Sequence, residues 1–190
     1  MRKNLQKNVI LWLGIFLFLF LASCGSLRKE QVQREMGYVD KQARLDIKAG
    51  QFQKAIVIYR EVYQKYPQDH AVRSGYIRTL ESIKSNGDRA FERGDFALAG
   101  CAYEIVLKHV SSLTRLNGSL AFNRKGLTSK IKSCKKLLFE NGLEQYRSGN
   151  LDQAISIWKS ILAFDPENKE VRKVVDMATL QLKNLQKTKK

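Results

Sequence analysis

Residues 43–67 read ARLDIKAGQFQKAIVIYREVYQKYP, and the same arrangement returns at residues 87–111 (GDRAFERGDFALAGCAYEIVLKHVS) and 142–166 (GLEQYRSGNLDQAISIWKSILAFDP). Superposing Gly50, Gly94 and Gly149 brings the rest into register. Seven residues before the glycine stand Ala43, Gly87 and Gly142; two after it, Phe52, Phe96 and Leu151; five after it, Ala55, Ala99 and Ala154. Nine after it come Tyr59, Tyr103 and Trp158, and twelve after it Val62, Val106 and Ile161. Proline follows seventeen after the glycine in two copies, as Pro67 and Pro166, and Ser111 takes that place in the second.

The spacing is that of two helices joined by a tight turn. A glycine between two helical patterns supplies the left-handed backbone that closes the first helix. The small residues seven before and five after it let the two helices approach, and the aromatic one turn beyond the alanine fills the space between pairs. Asp165-Pro166-Glu167 reads as an N-cap, a first-turn proline and an acidic first turn.

This pattern of small residue, glycine, aromatic, alanine, aromatic and proline resembles the tetratricopeptide repeat, a helix-turn-helix unit. The resemblance implies an all-α chain of stacked helical hairpins, a TPR-like α-solenoid. The glycines lie 44 and 55 residues apart, against about 34 in the family. Elongated first helices in the second and third pairs account for the difference, because DHAVRSGYIRTLESIKSNGDRAFERG and LAFNRKGLTSKIKSCKKLLFENGLEQYRSG both lack proline. Repeat units are expected over residues 37–67, 69–110 and 120–166, with a turn at Asn117-Gly118-Ser119. A C-terminal capping helix follows at 167–186, with Val171, Val174, Val175, Ala178, Leu182 and Leu185 on its apolar face, and a basic tail occupies 187–190.

The beginning of the chain has a different character. Arg2, Lys3 and Lys7 precede the apolar run VILWLGIFLFLFL at residues 9–21, shorter than the roughly 20 residues of a spanning helix. Leu21-Ala22-Ser23-Cys24 then resembles the lipobox of bacterial lipoproteins. The resemblance implies a signal peptide over 1–23, cleavage before Cys24, and a lipid on its sulfur that anchors the chain to a membrane. Residues 24–36 read as a lipidated start and polar tether. Gly25, rather than Asp, after the lipidated cysteine implies outer-membrane placement, facing the periplasm, where the host has two membranes.

The formal net charge of +16 becomes +13 once the three cations Arg2, Lys3 and Lys7 are removed with the signal peptide. A basic exported surface favours acidic proteins, anionic lipid or cell-wall polymer, and export makes nucleic acid a poor partner. His70 and His109 stand far apart with no metal-ligand spacing. His70 reads as exposed after a proline turn, and His109 as a cation near a helix end. Neither Cys101 nor Cys134 belongs to a C-x-x-C motif. Both sit on helical patterns, compatible with buried thiols or, in an oxidising compartment, with a disulfide. Asp88, Glu92 and Asp95 read as surface charge near a helix end, and Trp158 as core. No nucleophile with a base, carboxylate pair or phosphate loop stands out, so neither catalysis nor a cofactor or metal is expected.

The family resemblance implies a partner-binding face on the first helices of the pairs. The residues it selects are Arg44, Ile47 and Lys48, then Lys84 and Phe91, then Lys136, Phe139, Tyr146 and Arg147. Basic groups with interleaved rings suit an extended acidic segment. The expected function is therefore a membrane-anchored interaction scaffold or accessory subunit of a cell-envelope assembly. The competing reading is a binder of anionic lipid or cell-wall polymer through the basic surface.

Overall fold

The computed structural model describes residues 28–113 and 122–188. These form seven α-helices and no strand, and 86% of the described residues are helical. Helix α1 covers residues 28–48. It is followed by α2 (Phe52–Lys65), α3 (His70–Glu92), α4 (Phe96–Leu113), α5 (Arg124–Arg147), α6 (Leu151–Leu162) and α7 (Lys169–Thr188). From α2 onward each helix packs on the next, and alternate helices touch as well, α2 with α4 and α4 with α6.

The three glycine turns have one construction. Gly50, Gly94 and Gly149 have φ of 72°, 81° and 79°. In each turn the N–H of the following residue reaches back five positions: Gln51 to the carbonyl of Asp46, Asp95 to Ala90 and Asn150 to Gln145. The glycine N–H bonds three positions back, to Ile47, Phe91 and Tyr146. This double bond satisfies carbonyls that a helix end leaves orphaned, and its left-handed residue carries the least strain as glycine.

Alternating helices share one core. Tyr59, Tyr76 and Tyr103 are among its largest fully buried side chains, with Phe52, Ile56, Leu80 and Ile83. Small residues set the separations. A Cβ on Gly87 would meet Ala102 and Tyr103 of α4, and one on Gly142 would meet the Trp158 indole of α6. Tyr59 packs against Gly75 of the following helix and so fills space between pairs as expected. Trp158 lies inside its own pair instead, because Gly142 opens room for the ring there; its Nε1–H donates to the Phe139 carbonyl at 3.1 Å.

The elongated first helices are present, 23 residues in α3 and 24 in α5. Asp69 caps α3 by accepting from the N–H groups of Ala71 and Val72, and Asn123 caps α5 by accepting from Gly126. Three boundaries differ from expectation. Residues 28–36, read as tether, belong to α1: Val32 and Met36 continue the stripe of Val39, Ala43 and Ile47 into the core. The polar residues between them obscure this, although the three- and four-residue steps are helical.

Helix α7 begins at Lys169 with Asn168 as its cap, accepting from Val171 N–H at 3.0 Å. Asp165 is not the cap, because its carboxylate is taken by Lys135 Nζ and Asn168 Nδ2, both at 2.9 Å. At its other end α7 incorporates Lys187 and Thr188, so the basic tail starts later than expected. Leu185, placed on the apolar face by its spacing, is exposed at 48%. The turn at Asn117-Gly118-Ser119, the signal segment and Cys24 lie outside the described residues.

Candidate partner-binding site

Two clefts open beside first helices. The first separates α1 from α3 and has a volume of about 350 Å³. Ala43, Tyr59 and Gly75 lie at this boundary, with Asp40, Arg44 and Ile47 on one wall and Arg78, Thr79 and Ser82 on the other. The glycine at 75 has a local cause: its Cβ would collide with Met36 and Tyr59. Arg44 is oriented from within its own helix, its Nε donating to the Asp40 carbonyl at 3.1 Å. The Thr79 hydroxyl is committed to the Gly75 carbonyl at 2.9 Å. Two guanidinium groups and one carboxylate therefore present a cationic surface with fork-shaped donors, suited to carboxylates.

The second cleft, about 440 Å³, lies between α5 and α7 and is lined by Tyr146, Met177, Leu180, Gln181, Asn184, Leu185 and Thr188. Tyr146 donates to Gln181 Oε1 at 2.6 Å, fixing the phenol at its edge. The two clefts differ in chemistry: one is rich in arginine and the other in apolar side chains.

The residues selected from sequence are distributed unevenly over these features. Arg44 and Ile47 line the first cleft, whereas Lys48 is exposed at the end of α1 and is not among its lining residues. Lys84 is turned to Asp88 at 2.7 Å and lies 5.9 Å from the Phe122 ring centroid. Phe91 stacks edge-on with Phe96 at 5.2 Å. Lys136 pairs with Glu140 one turn along α5, at 3.8 Å with both side chains mostly exposed. Phe139 and Tyr146 pack on Trp158 with centroids 6.0 and 5.8 Å away. Arg147 is exposed beside Tyr146. Thus Lys84, Phe91 and Phe139 serve contacts within the fold. Arg78 and Ser82 were missed; their polarity looks like ordinary helix solvation until α1 is placed opposite them.

A polar knot joins α3, α4 and α5 away from the first cleft. Tyr103 Oη donates to Asp88 Oδ1 at 2.8 Å, and Lys130 reaches the same carboxylate from α5. Burial by itself pushes the Asp88 carboxyl up, but hydrogen bonds from Lys130, Lys84 and Tyr103 outweigh it and hold the group below the ordinary carboxylate range. Burial and the neighbouring Asp88 push the Tyr103 phenol well above its usual range, so its proton stays on oxygen. Asp88 is consequently a junction between helices rather than idle surface charge.

His109 is likewise not a free cation at a helix end. Its Nδ1 shares a 2.7 Å hydrogen bond with the Tyr76 hydroxyl, and Tyr76 stacks on Tyr63 at 5.6 Å. Burial, followed by the charges of Arg60 and Lys108, lowers the imidazole pKa. His70 is exposed at the start of α3. Cys101 and Cys134 are free thiols; burial pushes Cys134 up to about 11 and raises Cys101 as well. Among the described residues, no group of three or more His, Cys, Asp and Glu converges as a metal cluster. No described helix is long and apolar enough to cross a membrane. Compared with protein-family models and with curated proteins, the chain matches none.

Proposed function

We propose that this chain is a lipid-anchored, TPR-like scaffold that holds an acidic protein segment of the cell envelope, as a free-standing binder or an accessory subunit of a larger assembly. The observation that carries the reading is the α1/α3 cleft, where Arg44 and Arg78 face a common space beside Ile47. Guanidinium forks bind carboxylates in pairs, and the partly apolar floor adds area that water alone would not compete for. The repeated glycine turns and helix pairing support the solenoid part of the reading. The lipobox-like Leu21-Ala22-Ser23-Cys24 supports anchoring, and the reading assigns no catalytic role and no cofactor.

The strong positive charge of the whole chain favours a second reading, attachment to anionic lipid or cell-wall polymer. The two readings separate by affinity capture from solubilised host envelopes with the tagged full chain at low and moderate salt. A defined acidic protein that survives moderate salt and is lost on Arg44→Glu supports the scaffold. Recovery of polymer or lipid alone, released by salt and indifferent to Arg44→Glu, transfers the function to the diffuse charge.

A further inference from the structure

Helix α7 has two apolar faces. Val171, Val175 and Ala178 are buried against the body, while Met177 and Leu180 stand 56% and 60% exposed on another side, and Leu185, in line with the buried stripe, is itself 48% exposed. They belong to the α5/α7 cleft, whose opposite edge is Tyr146. Each exposed apolar side chain left in water forgoes the stabilisation that burial would give it, and a helix that merely solvates an array would place polar groups there.

The rim of this cleft specifies what would cover it. Lys173, Met177, Leu180, Asn184 and Lys187 follow one another at helical steps, so the apolar centre is closed by a lysine at each end of the stripe. Lys183 flanks it on α7 and Arg147 stands next to Tyr146 on α5; the acids nearby in sequence are Asp176 on α7 and Glu144 on α5. An apolar floor inside a cationic rim complements a helix with an apolar stripe and flanking carboxylates. A second copy would bring the same lysines against these, which opposes a symmetric pairing through this face.

We propose that the α5/α7 cleft seats an acidic amphipathic helix of a partner protein. Its apolar stripe rests on Met177, Leu180 and Leu185, and its carboxylates meet Lys173, Lys183 and Arg147. The site extends the scaffold reading but does not share residues with the α1/α3 cleft, so the two stand or fall separately.

The test uses the full chain in neutral detergent and a fluorescent helical peptide with leucines at three- and four-residue steps flanked by glutamates. A scrambled peptide of identical composition is the control. Leu180→Glu should weaken the patterned peptide about ten-fold or more, and scrambling should do the same, since apolar anchors carry most of such an interface. Arg44→Glu should leave this binding unchanged. Leu180 is exposed, so the variant is expected to keep its helical circular dichroism and melting temperature.

Equal binding of the scrambled peptide, or no loss with Leu180→Glu, overturns the proposal in favour of charge alone. Loss with Arg44→Glu but not with Leu180→Glu overturns it in favour of the α1/α3 cleft, leaving the scaffold reading intact. Sedimentation showing a dimer that Leu180→Glu dissolves overturns it by identifying a second copy as the occupant. Failure of the patterned peptide to bind overturns it outright.

Discussion

Tyr103 on α4 donates its hydroxyl hydrogen to Asp88 on α3 at 2.8 Å, and the Lys130 ammonium of α5 lies over the same tyrosine ring at 5.2 Å from its centroid. One carboxylate thereby ties the second helical pair to the third where the chain departs most from a regular repeat spacing. Asp88→Ala would leave a buried phenol and two ammonium groups without their acceptor. The expected cost is about 1–3 kcal/mol of folding stability, measured by urea denaturation at pH 7, with Asp88→Asn costing less because one acceptor remains.

The same carboxylate predicts an acid limb. Its folded pKa is depressed, as is that of Asp165, where hydrogen bonds from Lys135 and Asn168 outweigh the opposing effect of burial. The stability they contribute is complete above the unfolded value near 3.8 and is lost as pH falls through the lower folded values. Urea midpoints recorded from pH 5 downward should fall, and the fall should be shallower in Asp88→Asn.

His109 predicts an earlier loss. Its folded pKa lies below the unfolded value of 6.5 because burial and the cations Arg60 and Lys108 disfavour the imidazolium. Below pH 6.5 the unfolded chain takes up a proton that the folded chain resists, so stability declines as pH drops toward the folded pKa. His109→Asn removes the titration while offering an acceptor to Tyr76, and should flatten the stability profile between pH 7 and 5. An unchanged slope would dissociate the effect from this residue.

Glycine substitutions separate close approach from backbone strain. Gly142→Ala thrusts a methyl into the Trp158 indole and should destabilise by about 1–3 kcal/mol through overpacking. Gly94→Ala meets open space but has to hold φ near 81°, costing about 1–2 kcal/mol from the left-handed backbone alone. Adding Trp158→Phe to Gly142→Ala should recover part of the loss, whereas adding it to Gly94→Ala should not. Urea denaturation of the two double variants checks this.

Much of the helical frame was legible because the glycine positions impose a conformation that other residues adopt at a cost, and the small-to-aromatic spacing reports direct contact. Gly87 against Tyr103 and the long α3 and α5 are examples. The start of α1 was not, since two buried residues, Val32 and Met36, are set among polar neighbours. Of the residues selected from sequence, Arg44 and Ile47 line the α1/α3 cleft and Tyr146 lines the α5/α7 cleft. Which side of a first helix faces a cleft depends on how the next first helix lies beside it. Arg78 and Ser82 on α3 become recognisable only when α1 stands opposite. Asp88 and His109 were misjudged for a related reason, as their partners are 15 and 33 residues away in sequence.

The most direct test of the scaffold reading is a photocrosslinking amino acid placed at Ser82, on the α3 wall of the arginine cleft, in the full chain expressed in its host. The account predicts a discrete protein adduct that disappears with Arg44→Glu and Arg78→Glu while the same crosslinker on the exposed far side, at Lys54, gives none. An adduct pattern indifferent to both arginines, or capture of lipid and polymer alone, would contradict it.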